Sequence, residues 1–156
     1  MARWTILGCA LAMALAGGAP AQTRPMHKVV DAASTNWGPG PAALLPGAKA
    51  AMLYGDATKP EMFVMRLWLP KGFRVAPHTH PRPEILTVIS GRFQLGTGRR
   101  ADRARTRTLT AGSFSALAPD MPHYAFVDRD TVIQISTTGP WAVNYVNPAD
   151  DPRKKR

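Results

Sequence analysis

From residue 48 onward, short apolar segments recur along the chain, each closed by glycine, proline or aspartate. Segments of this kind predict strands near Ala50–Tyr54, Met62–Leu69, Ile85–Ser90, Phe93–Gly96, Arg107–Leu109, Ser113–Leu117, His123–Val127, Thr131–Thr137 and Trp141–Val146. The punctuation between them is Gly55-Asp56, Pro70-Lys71-Gly72, Ser90-Gly91, Ala111-Gly112, Pro119-Asp120 and Gly139-Pro140. No segment holds a 3.6-residue apolar period, and there is no internal repeat. Many short strands at close spacing predict a single all-β sandwich or barrel over residues 48–147. Residues 22–47 are rich in Ala, Pro and Gly ("NWGPGPAALLPG") and predict an extended arm with turns. Residues 148–156 form a short basic tail.

The first 21 residues stand apart from this pattern. Arg3 is followed by an apolar run from about Trp4 to Ala16, then by Ala19-Pro20-Ala21, the order of a secretory signal peptide. Gly8, Gly17 and Gly18 interrupt the run, which falls short of the ~20 apolar residues that span a bilayer. The reading is cleavage after Ala21 and a periplasmic or secreted protein with no transmembrane segment in its mature chain. Cys9, the only cysteine, leaves with the leader. Disulfides, thiol chemistry and thiolate metal sites are thereby excluded, so stability must come from a hydrophobic core.

Charge adds less. The formal net charge is +10, and losing Arg3 leaves +9. Five arginines and one aspartate share Arg99–Arg107, and "RKKR" closes the chain. Neither cluster contains an aromatic residue for base stacking, so no nucleic-acid partner is expected. A solvated hairpin tip and a frayed tail account for both, with attraction to an anionic envelope surface as the functional alternative.

Chemistry concentrates in "PHTHPRPE", Pro77–Glu84. On a strand, residues two apart share a face, so His78 and His80 project together. Glu84 follows across the Pro81–Pro83 bend, and His123 opens another strand after the proline turn of "APDMPHY". Three imidazoles and a carboxylate suit one first-row divalent metal: Fe, Mn, Ni, Cu, Co or Zn. His27, in the arm, has no such neighbours. An H-x-H pair alone is weak evidence, but a frame surrounds this one. Gly72 precedes His78 by six residues and Gly91 follows Glu84 by seven.

That frame, G-(x)5-HTH-(x)3-E-(x)6-G over Gly72–Gly91, resembles the first motif of the cupin superfamily. A second cupin motif is recognisable at Gly112–Val127. There the usual Pro-x-Gly reads Ala118-Pro119-Asp120 and the usual Asn reads Val127, departures that fall on turn and packing positions and spare His123. Arg92–Ala111 has the length of a small cupin inter-motif hairpin. The resemblance covers residues 48–146, and the flanking segments resemble single-domain cupins related to the ChrR-like cupins.

The resemblance implies a jelly-roll cupin β-barrel, the double-stranded β-helix. Inside it His78, His80, Glu84 and His123 would bind one metal, and Glu84 would double as a catalytic base. An organic cofactor is not expected. Oxygenase chemistry on a small organic molecule is the leading activity implied, with metal-dependent isomerase or lyase chemistry as rivals. A non-catalytic sensor or carrier of metal or small ligand is the alternative from another class. Phe63, Trp68, Leu86, Val88 and Tyr124 are expected to line an apolar pocket, with Gln134 as a polar neighbour of the metal. Arg66, alone in "FVMRLWL", either faces out or supplies a positive charge to an acidic substrate. Homodimer pairing is expected, since cupin barrels commonly pair and the arm is too apolar to extend into solvent. A pocket with room for substrate and several polar groups would favour an enzyme; a filled barrel would favour a structural or sensory site.

Overall fold

The computed structural model describes Met1 and residues 27–154; the leader beyond Met1, the arm up to residue 26 and the last two residues lie outside that range. The strands are β1 (Gly38–Pro39), β2 (Lys49–Tyr54), β3 (Met62–Leu69), β4 (Arg74–Thr79), β5 (Glu84–Ser90) and β6 (Arg92–Thr97). They continue as β7 (Arg107–Thr110), β8 (Phe114–Leu117), β9 (His123–Val127), β10 (Thr131–Thr138) and β11 (Asn144–Tyr145). Two antiparallel sheets result, in the orders β1-β2-β3-β10-β5-β8 and β11-β4-β9-β6-β7. This is the jelly-roll arrangement that the resemblance implies. Among the described residues, helix occurs only as short 3-10 turns, and no helix is long and apolar enough to cross a membrane.

Alternation builds the core. On β3, Phe63, Met65, Leu67 and Leu69 are buried while Val64, Arg66 and Trp68 face the other way. β10 pairs with β3 from Thr131↔Leu69 to Thr138↔Met62 and points Ile133 and Ile135 into the same space. The opposite sheet contributes Phe93, Ala125 and Val127. Residues 91 and 120 show how turns permit this. Gly91 has φ +85°, and a Cβ there would run into the backbone of Asp130 and Thr131. Asp120 stands where the motif usually has glycine and adopts φ +57°, a left-handed conformation that Asp tolerates better than most residues.

The arm covers its own barrel. β1 lies along β2 through Gly38↔Ala50 and Pro39↔Lys49, which shields an otherwise open sheet edge. Leu44 then enters the core.

Four expectations need refinement or correction. The strand assumed for the histidine pair has no range in the sequence pattern; it is β4, whose pattern Pro77 and Arg74 interrupt, and Pro77 sits where the β4–β9 register shifts between Val75 and His78, a position that needs no ladder donor. The expected strand Trp141–Val146 shrinks to Asn144–Tyr145. The arginine-rich tip is solvated as expected, exposed from Arg99 to Arg105, but it is not free: parts of it pack back onto the sheet. The Arg103 guanidinium lies 4.5 Å over the Phe126 ring and donates to Gln94 at 2.8 Å, while the Tyr124 hydroxyl donates to the Asp102 carbonyl. The tail through Lys154 also packs back. Asp151 is buried and pairs with Arg153 at 2.8 Å, and Arg153 donates to the Val143 carbonyl at 3.0 Å.

Candidate metal centre

His78 lies near the end of β4, and His80 follows just past it on the same side. The Pro81–Pro83 turn brings the chain back so that Glu84 opens β5, while His123 opens β9 directly opposite His78 in the β4–β9 register. Four polar side chains thus converge inside the barrel, each 4–6% exposed. The donor atoms of the three histidines lie within 4.8 Å of one another. Glu84 bridges two of them, with Oε1 3.3 Å from His80 Nε2 and Oε2 3.4 Å from His123 Nε2.

Backbone carbonyls set the tautomers. Nδ1 of His78 lies 2.9 Å from the Ala76 oxygen, Nδ1 of His80 2.6 Å from Ala142, and Nδ1 of His123 2.9 Å from Met121. A carbonyl oxygen only accepts, so each Nδ1 carries the proton and each Nε2 of a neutral ring presents a bare lone pair. His123 Nε2 is buried with no hydrogen-bond partner. Burial first, then the nearby His123 and His80, lowers the His78 pKa to about 3. Burial likewise lowers His80. Burial works against the Glu84 charge, but His123 and the positive charge that the three rings can carry outweigh it and hold the carboxyl below its usual range. At neutral pH the His78 and His80 rings are neutral, and their lone pairs face an ionised carboxylate. That arrangement is repulsive unless a cation sits among them, so the donor set fits a first-row divalent metal.

Trp141 and Ala142 complete the surroundings. The Trp141 ring stacks on His80 at 5.4 Å and 21°, and the next residue supplies the carbonyl that holds His80. The Tyr145 ring lies 6.0 Å from that of His78, and its hydroxyl donates to the Ala43 carbonyl at 2.6 Å. Sequence reading missed Trp141. The available signal was a lone tryptophan directly after a Gly-Pro turn.

The space beside the four residues is about 40 Å³, room for only a few waters at roughly 10–15 Å³ each. Apart from His78, His80, Glu84 and His123, its walls are hydrocarbon and aromatic, among them Leu67, Leu86, Phe93, Ile135 and Trp141. Of the expected pocket residues, only Leu86 is there. Phe63 and Val88 point inward and pack in the core without lining this space. Trp68 faces outward beneath the Lys49 ammonium. Gln134 faces outward too and accepts from Arg66 at 3.3 Å, which settles Arg66 as an outer-face residue. Tyr124 follows inward His123 and therefore points to the outside of its sheet, buried there under the folded tip. Parity decides all three outward cases.

The fold is that of the cupins, a double-stranded β-helix barrel, here with a histidine-carboxylate cluster at its centre. The chain belongs to the family described as a domain of unknown function, DUF4437, whose model matches residues 17–144. No curated protein matches the sequence. Among solved structures it is similar to the polyketide cyclase RemF from Streptomyces resistomycificus, at 16% identity and TM-score 0.64, over 83% of this chain and 92% of that one. An acetylacetone dioxygenase from Acinetobacter johnsonii is similar at 17% identity and TM-score 0.62, over 83% of each chain. An RmlC-like cupin from Shewanella frigidimarina is similar at 18% identity and TM-score 0.56, over 72% of this chain and 90% of that one.

Proposed function

We propose that this chain is a metal-binding cupin that holds one divalent transition metal on His78, His80, Glu84 and His123. The carrying observation is the convergence of three carbonyl-fixed Nε2 lone pairs on a buried carboxylate. A metal bound there would supply Lewis acidity and coordination positions beyond the four protein donors. The chain's own part is to hold the rings in one tautomer, keep the carboxylate ionised and exclude bulk water with an apolar wall. An interior of about 40 Å³, whose walls add only the unpartnered Trp141 Nε1–H to the four central residues as a side-chain polar group, supports a binding or sensory role over turnover of a large polar substrate. Elemental analysis of protein from its native compartment tests the proposal. About one metal per chain, lost in the His78→Ala/His80→Ala variant, is expected; equal metal in both proteins would overturn it.

The second reading is a metal-dependent oxygenase for a small apolar molecule. The apolar wall around the cluster supports it, and so does the similarity to an acetylacetone dioxygenase. Here Glu84, 3.3–3.4 Å from two imidazoles, would take a proton from the substrate when not held by the metal. An oxygen-uptake screen with small apolar carbonyl compounds tests this reading, and no uptake in metal-loaded protein removes it.

Two further proposals concern the whole protein. Export with cleavage after Ala21 is supported by the leader's basic–apolar–"APA" order, and N-terminal sequencing of exported protein tests it. A homodimer is supported by Ile85, Ile89 and Phe114, all exposed on the six-stranded sheet; light scattering tests it.

A further inference from the structure

A groove of about 350 Å³ lies outside the barrel, against the five-stranded sheet. Its size falls at the low end of the range that takes small organic molecules, roughly 300–1,000 Å³. Arg74 of β4 and Arg99 and Arg100 of the hairpin tip line it, with Phe126 and Tyr145 as aromatic walls. Leu45, Val75, Ala76 and Pro77 add apolar surface, and Asn147 and Asp150 add polar groups. Three guanidinium groups against one carboxylate leave the lining at +2. Among the described residues, Arg74, Arg99 and Arg100 have no ion-pair partner.

The backbone that carries Arg99 and Arg100 is tied down by its neighbours. Arg103 stacks on Phe126 and bonds Gln94, Asp102 caps the Arg103–Arg105 turn through Ala104 N–H, and Gly98 N–H donates to the Pro122 carbonyl. These contacts tie the tip to the sheet face, so that Arg99 and Arg100 share one groove with Arg74, distant in sequence. Planar guanidinium forks bind carboxylates in pairs of hydrogen bonds, and the adjacent rings and aliphatic surface suit an apolar body.

We propose that this groove is a binding site for a small organic dianion, a dicarboxylate carried on an aromatic or otherwise apolar framework, separate from the metal centre. Ala76 links the two places: its side lines the groove and its carbonyl oxygen accepts from His78 Nδ1.

The test is isothermal titration calorimetry of the full-length, metal-loaded protein with phthalate, and with inorganic phosphate as a body-less anion. Saturable phthalate binding is expected, at least tenfold tighter than phosphate. Arg74→Ser, Arg99→Ser or Arg100→Ser should each weaken it by roughly tenfold, with metal content unchanged. Arg74→Lys, Arg99→Lys and Arg100→Lys should each retain part of the affinity that the serine variants lose. Lys71→Ser, exposed and outside the groove, should have no effect. The proposal is overturned by absent binding at millimolar phthalate, by equal affinity for phosphate, or by equal weakening in Lys71→Ser. It is also overturned if only vesicles containing phosphatidylglycerol bind and phthalate does not.

Discussion

The His80 ring is held from the far end of the chain: its Nδ1–H donates to the Ala142 carbonyl oxygen at 2.6 Å. The residue before Ala142, Trp141, stacks on the same ring. A segment 62 positions away in sequence therefore aims one of the four central side chains.

Trp141→Leu should loosen that aim while leaving every donor in place. Changes behind metal ligands typically cost 10–100-fold in affinity, so metal affinity is expected to fall at least tenfold, measured by competition with a metal-buffering chelator. Unchanged affinity would reduce Trp141 to a packing residue.

The four central residues should not respond alike to substitution. His80→Ala and His123→Ala each remove a neutral nitrogen donor, and metal content should fall sharply. Glu84→Gln keeps the shape without the charge, so weak metal binding should persist while any proton-transfer role disappears. Elemental analysis at matched protein concentration separates the cases.

Acid should weaken the metal-free protein in a defined window. His78 titrates near 3 in the folded chain, against 6.5 for the ordinary value, because burial and the neighbouring His123 and His80 resist its charge; His80 is lowered in the same sense. The unfolded chain then binds more protons than the folded one, so stability falls as pH drops from about 6.5 towards about 3. The slope is up to ~1.4 kcal/mol per pH unit for each such histidine. Glu84, also lowered, pulls in the same direction once pH falls below the carboxyl's ordinary value. Urea midpoints across this range read the effect. Metal occupancy should decline only towards the lower end of this window, since in the folded chain the His78 ring is not protonated until about pH 3.

Asp120 tests the turn that precedes His123. Its N–H donates to the His80 carbonyl at 2.8 Å from a left-handed backbone. Asp120→Gly should therefore stabilise by up to ~1 kcal/mol, and Asp120→Val should destabilise by at least as much. Thermal melts of the two variants should move in opposite directions.

The arginine-rich tip should divide by position. Arg99→Ser, Arg100→Ser and Arg105→Ser remove exposed charge and should stay within ~0.5 kcal/mol. Arg103→Ser loses a cation–π contact and a hydrogen bond and should cost ~1 kcal/mol or more. Equal melting temperatures for all four would show that the packed tip contributes nothing.

Much of this molecule was legible in one dimension because its signals are local. Met62–Leu69 and His123–Val127 appear as strands with the bounds read from their apolar runs, since both lie between Gly, Pro or Asp turns that act within a few residues. The H-x-H pair, the glutamate four residues on and the glycine frame likewise state their spacing directly. What lay beyond reach depends on parity and on distant partners. Tyr124 and Gln134 are as plausible beside a metal as Trp141 when only residue type is visible. One step of pleat turns Tyr124 out beside inward His123, and pairing with β3 sets Gln134 opposite Arg66 on the outer face. The extent of β4 was not legible because Pro77 breaks the local pattern, and the bulge against β9 that accommodates it exists only once the two strands meet. The carbonyls of Ala76, Met121 and Ala142 carry no sequence signal at all, since every residue has one. Only closure of the barrel, which brings segment 141–145 back over β4, decided that Ala142 would hold His80 and that Trp141 would cover it.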